Sequence, residues 1–133
     1  MTEIAAEPTD SVARYIFSSS NYGGSRVKHG AFVPPNDYPN ELSVCVTTTL
    51  NEAEIWQCSP EIAGKSAKAR AGLIVSDIQA ISDEQGGKLN VLIDGNPHRF
   101  HANIKFLPLD KSKRRAIAAE LANKSALVMA PAD

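Results

Sequence analysis

The sequence predicts an α+β fold in a single domain: a mainly antiparallel sheet with short helices and a C-terminal helix packed on one face. Three observations carry this expectation. Strand-forming stretches and short capped helices interleave without the regular βαβ alternation of a doubly wound sheet. Residues 89–106 read as a β-hairpin around Gly95-Asn96-Pro97. Residues 111–125 read as a helix whose buried stripe is Ile117, Ala118, Leu121, Ala122 and Ala126.

Composition agrees. A chain of 133 residues, 43% hydrophobic and 22% charged, holds one core and no second one. A disordered, collagen-like or disulfide-framework chain requires a stronger bias, so those classes are excluded. The expected organisation is an acidic flexible leader over residues 1–12 and one α+β domain over 13–130.

The leader carries Glu3, Glu7 and Asp10 with no basic residue, the reverse of a signal peptide. No apolar run approaches the roughly 20 residues of a membrane span, so a cytoplasmic protein with no membrane partner is expected. Ala13-Arg14-Tyr15-Ile16-Phe17 is a strand, followed by the turn-rich Ser18-Ser19-Ser20-Asn21-Tyr22-Gly23-Gly24-Ser25. Ala31-Phe32-Val33 is stopped by Pro34-Pro35, leaving residues 18–41 mostly as loop. A loop of that length in a small domain is usually functional or mobile.

Residues 42–48 alternate Leu42, Val44 and Val46 with Ser43, Cys45 and Thr47, a half-buried strand. Thr49-Leu50-Asn51-Glu52 has capping-box spacing and predicts a short helix through Trp56. Ser59-Pro60-Glu61 predicts a second start, weakened by Gly64. Residues 66–82 fit either a helical stripe or a buried strand. The capping box Ser76-Asp77-Ile78-Gln79 and the stop Gly86-Gly87 favour strand 71–75 and then helix 77–84. In the second strand of the hairpin, Arg99, His101, Asn103 and Lys105 share a face opposite Phe100, Ala102, Ile104 and Phe106. Pro108 ends that strand and Asp110 caps the last helix.

Fourteen Lys and Arg against fifteen Asp and Glu give a charge of -1, so no global field draws the chain to nucleic acid. Any anionic partner must meet a local patch. The polar stripe Arg99, His101, Asn103 and Lys105 suits a phosphate or carboxylate, with His101 the one candidate catalytic group. An ordinary solvated sheet face is the competing reading. Arg14 beside Ser18, Ser19 and Ser20 is a second candidate anion cradle, against an edge-strand arginine followed by a turn cap. Lys111-Ser112-Lys113-Arg114-Arg115 sits where the helix dipole disfavours cations. With Arg99 and Lys105 it forms a candidate patch for nucleic acid or nucleotide phosphate, Arg114 and Arg115 included. Trp56 reads as a core or lid residue, with base stacking as the alternative.

Cys45 and Cys58 are expected as reduced thiols, one disulfide being the alternative. Two thiols are too few for a structural zinc site. His98 and His101, three apart on a regular strand, point to opposite faces unless a bulge intervenes. No metal and no cofactor is therefore expected.

Arg14-Tyr15-Ile16-Phe17-Ser18-Ser19-Ser20, Ala31-Phe32-Val33-Pro34-Pro35, Leu42-Ser43-Val44, Glu54-Ile55-Trp56 and His101-Ala102-Asn103-Ile104 together resemble a small family of uncharacterised bacterial proteins, over about residues 14–128. The resemblance implies a bacterial, cytoplasmic protein and supplies no catalytic residue. Three functional readings follow from the residues. The first is a non-catalytic binding or accessory module recognising a protein partner or a phosphate-bearing ligand. The second is a small hydrolase or transferase acting on nucleotide or RNA through His101 with Arg14 or Arg99. The third is a structural component of a homo-oligomer.

Overall fold

The computed structural model describes residues 3–34, 40–59, 66–82, 88–96 and 98–131. A seven-stranded sheet of order β1-β7-β8-β5-β2-β6-β9 spans the domain, and every pairing in it is antiparallel. Its strands are β1 (Ile4–Ala5), β2 (Ser11–Ile16), β5 (Glu41–Val46), β6 (Ala69–Ile74), β7 (Asn90–Ile93), β8 (His101–Lys105) and β9 (Ala126–Met129). A two-stranded ladder, β3 (Tyr22–Gly23) and β4 (Arg26–Val27), lies in the first loop between two 3-10 turns, Ser19–Asn21 and His29–Phe32. The helices are α1 (Glu52–Gln57), α2 (Val75–Gln79) and α3 (Lys111–Lys124). The α+β expectation holds, with α3 packed on one face.

Alternation along the strands gives the sheet two unlike faces. Val12, Ile16, Leu42, Val44, Ala71, Leu73, Val91, Ala102 and Ile104 point to one side. There they bury against Ile117, Ala118, Leu121 and Ala122 of α3. Phe32, with none of its surface exposed, plugs this layer from the 3-10 turn and anchors the long first loop. The other face carries Tyr15, Ser43, Cys45, Arg70, His101, Asn103 and Lys105, as the registers Tyr15↔Arg70, Cys45↔His101 and Ser43↔Asn103 require. Helix α1 covers part of it: the Tyr15 hydroxyl donates to the Ile55 carbonyl, and Arg70 bonds the Glu52 carboxylate with its guanidinium 4.9 Å from the Trp56 ring.

Several elements differ from the sequence expectation for local reasons. Residues 4–5 of the expected leader form β1 against Ile93 and Leu92, and the Ala6 N–H donates to the Val91 carbonyl. Helix α1 starts two residues late, because Leu50 N–H closes a turn on the Thr47 carbonyl. The cap is then Asn51, whose side chain accepts from Glu54 N–H while Glu54 accepts from Asn51 N–H. Helix α2 begins at Val75 and ends at Gln79 with no side-chain cap. Its first N–H groups, of Val75 and Ser76, donate to the carbonyls of Asp10 and Pro8, so the expected Ser76 capping box is not needed. Ser125 closes α3 on the Ala122 carbonyl, and Ala126, expected in the helical stripe, opens β9 on the edge of β6. The expected start at Ser59-Pro60-Glu61 and the stop at Gly86-Gly87 involve positions outside the described residues.

Two consequences are measurable by urea unfolding. Phe32→Ala leaves a cavity between α3 and the sheet and costs about 3–5 kcal/mol. Asn51→Ala removes the side-chain half of the cap of α1 and costs about 1 kcal/mol.

Candidate functional site

Strand β2 pairs with β6 along all six of its residues but with β5 only at Val12↔Val46 and Ala13↔Cys45. Beyond that point β2 and β5 part, while β5 stays paired with β8 as far as Glu41↔Lys105. The parting opens a cavity of about 600 Å³. Arg14, Tyr15 and Phe17 line it from β2 and beyond its end, Ser43, Val44 and Cys45 from β5. Consecutive residues of a strand point to opposite faces, so both parities meet one cavity only where the sheet is split. Gln57, Cys58 and Ser59 at the end of α1 and His98 and His101 of the hairpin complete the wall.

Arg14 spans the split. Its Nε donates to the Ala31 carbonyl at 3.0 Å and Nη1 to the Ser43 carbonyl at 2.9 Å. These bonds give Ser43 the partner that β2 no longer supplies. Burial brings the guanidinium pKa down to about 10, and it remains a cation at neutral pH. Among the described residues no carboxylate pairs with Arg14.

His101 is held by Asp94. Nδ1 lies 2.7 Å from Asp94 Oδ1, and the Asn103 amide donates to Oδ2 at 3.0 Å. Burial pushes the Asp94 carboxyl up, but the His101 hydrogen bond, the Asn96 N–H, the His101 charge and the Asn103 amide outweigh it and keep it ionised. An ionised carboxylate only accepts, so Nδ1 carries a proton toward Asp94 and Nε2 is the ring nitrogen that Asp94 does not engage. His98 sits in the turn before β8, and its carbonyl accepts from the His101 N–H. That turn overturns the expectation that the two rings diverge: their centroids are 5.9 Å apart, edge to face. Burial, then the charge of His101, lowers the His98 pKa and keeps it neutral at pH 7.

Tyr15 and Cys45 on the cavity wall hold their protons. Burial, with smaller contributions from the two thiols, raises the Tyr15 pKa. Burial pushes the Cys45 thiol up to about 12. The Ser59 hydroxyl is buried with no partner among the described residues. No group of three or more metal-ligating side chains occurs among the described residues.

The structure therefore brings Arg14 and His101 of the sequence candidates to one cavity and leaves the others outside it. Ser18 and Ser20 bond each other in the capped 3-10 turn at 2.7 Å, exposed, and complete no cradle with Arg14. Arg99 lies over the Phe100 ring at 4.8 Å in the turn before β8, so the expected stripe of four begins at His101. Lys105 pairs with Glu3 and Glu41 at 3.3 and 3.4 Å. Arg114 and Arg115 belong to α3, whose core stripe packs on the opposite face of the sheet from Lys105, so the expected basic patch is not continuous. Lys113 and Arg114 each have partners. Trp56 is turned onto Tyr15 and Arg70, its indole N–H bonded to Glu52.

Sequence reasoning passed over Asp94, Tyr15 and Arg70. Asp94 was findable, since the hairpin register Ile93↔Ala102 puts residue 94 opposite 101.

No family model, curated protein or solved structure matches the chain. Among the described residues no helix is long and apolar enough to cross a membrane.

The Asp94 carboxyl titrates below its ordinary value in the fold, so its stabilisation is present above about pH 4 and fades as pH falls through the folded value. Asp94→Asn is thus expected to be less stable than the native chain at pH 6. The gap between their urea midpoints closes toward pH 3. A gap constant over that range overturns the assignment.

Proposed function

We propose that this protein is a binding module whose cavity takes a small organic anion, with the phosphate or carboxylate end at Arg14. The observation that carries the reading is a half-buried guanidinium whose partners among the described residues are backbone carbonyls, on the wall of a cavity where Tyr15 and Cys45 hold their protons. A buried charge without a counter-charge is costly, and an anion supplies that charge while meeting the unused donors of the fork. The polar wall of Tyr15, Ser59 and His101 then faces the organic part of the ligand. The bacterial, cytoplasmic setting implied by the sequence resemblance belongs with this reading.

A second reading, a hydrolase or transferase, is favoured by one observation: Asp94 fixes the His101 ring through Nδ1 and leaves Nε2 for proton transfer, on the same cavity as Arg14. Such a pair suits general acid–base chemistry on a phosphate ester, Arg14 offsetting developing charge. Arg99 has no place in it.

Calorimetric titration with inorganic phosphate, a nucleoside monophosphate and succinate separates these readings. Saturable binding of at least one probe is expected, weakened about tenfold to a hundredfold in Arg14→Gln and partly restored in Arg14→Lys. His101→Ala leaves binding within about threefold if the site only binds, whereas turnover of the monophosphate that vanishes in His101→Ala establishes the enzyme. No saturable heat with any probe overturns the anion site.

A further inference from the structure

Both thiols of the chain open on the same cavity, although 13 positions separate Cys45 from Cys58 in the sequence. Cys45 is on β5, buried, pointing to the face that α1 covers. Cys58 is the C-cap of α1, its N–H turned back onto the Glu54, Ile55 and Trp56 carbonyls, and its side chain is half-buried. Helix packing brings them together: Tyr15 to Ile55, Arg70 to Glu52 and Arg70 over Trp56 fix α1 on the sheet. Cys58 lies close enough to Cys45 to help hold the Cys45 proton in place, with the Tyr15 hydroxyl as a further neighbour. Both are free thiols in this structure.

We propose that Cys45 and Cys58 form a thiol–disulfide exchange site that takes a low-molecular-weight disulfide. The inference stands apart from anion binding at Arg14, since it requires only the two sulfurs and access through the cavity. Cys58, the more accessible thiol, attacks as thiolate on one sulfur of the incoming disulfide RSSR. The Cys58–SR bond forms, the S–S bond breaks, and one RS⁻ leaves. Cys45 then gives up its proton and attacks the Cys58 sulfur; the Cys45–Cys58 bond forms and the second RS⁻ leaves. Two protein thiols are oxidised, one RSSR is reduced to two RSH, and the two protons lost by the cysteines end on the leaving thiolates. Once Cys58 is in the mixed disulfide, its negative charge no longer opposes ionisation of Cys45, and that favours the second step. The product ties the end of α1 to β5 across the cavity.

Incubation of the folded full chain with glutathione disulfide, followed by thiol titration and intact-mass measurement, tests this. The native chain is expected to lose both titratable thiols with no mass added beyond the loss of two hydrogens. Cys45→Ala halts at Cys58 carrying one glutathione, and Cys58→Ala leaves Cys45 unmodified. Circular dichroism of both variants checks that they fold. Persistence of both thiols in the native chain, or accumulation of glutathione adducts without closure, overturns the proposal. The native-chain measurement decides even if a variant fails to fold.

Discussion

The architecture turns on the point where β2 leaves β5. A continuous antiparallel sheet satisfies its carbonyls by pairing, and two strands that part in the interior orphan theirs at a cost of about 1–3 kcal/mol for each group left without a partner. Arg14 relieves this with one side chain, donating to Ser43 on the departing strand and to Ala31 in the turn that delivers Phe32 to the core. Strand separation, loop anchoring and the cavity thus share a single guanidinium. An aliphatic residue here would fit the apolar parity of Val12 and Ile16, yet it would leave both carbonyls unanswered.

Two other cations of the sheet, on its opposite face, are treated differently, and the contrast is informative. Arg70, 8% exposed, meets Glu52 and the Trp56 ring; Lys105 meets Glu3 and Glu41. Each has an anionic partner from a separate segment, so each acts as a structural tie: one holds α1 to the sheet, the other holds the N-terminal strand beside the hairpin. In all three pairs the carboxylate is supplied from outside the cation's own strand. Among the described residues Arg14 has carbonyls alone. Carbonyl dipoles offset part of the desolvation of a cation, but they leave its net charge in place. A charged group retained in that condition on a cavity wall is where ligand charge is best placed to be recognised.

Much of this was legible in the sequence where the signal is local. The hairpin, α3 and the alternation of β5 follow from periodicity and turn chemistry, and the α+β class follows from their order. Cap positions failed where tertiary contacts substituted for side chains. Ser76 has capping-box spacing, but the carbonyls of Asp10 and Pro8 already satisfy the first turn of α2. The competing turn at Thr47 to Leu50 moved the cap of α1 to Asn51. The site was half visible. Arg14 and His101 stand out as charged or titratable groups in strand patterns, whereas their grouping depends on the split in the sheet, which no spacing encodes. The serines after Arg14 attracted attention by proximity in sequence, but they serve the 3-10 turn. Cys58 reaches Cys45 only through the docking of α1, a contact built from Tyr15, Glu52 and Arg70 on three different elements.

The protonation states set the chemistry the cavity can host at neutral pH. Tyr15 and Cys45 hold their protons, His98 is without its extra one, and Arg14 keeps its charge. Asp94 is ionised, but its negative charge is engaged by His101, Asn103 and the Asn96 N–H, so it is directed away from a ligand. What remains for a bound molecule is one fixed positive charge, one oriented imidazole nitrogen and several neutral donors and acceptors. That set discriminates by charge at one end and by hydrogen bonding at the other, the division of labour common to pockets for small polar molecules. It also disfavours cationic ligands, which would meet Arg14 with no carboxylate among the described lining residues to compensate. The proposed selectivity for an anion would thus rest on the same guanidinium that closes the gap between the strands.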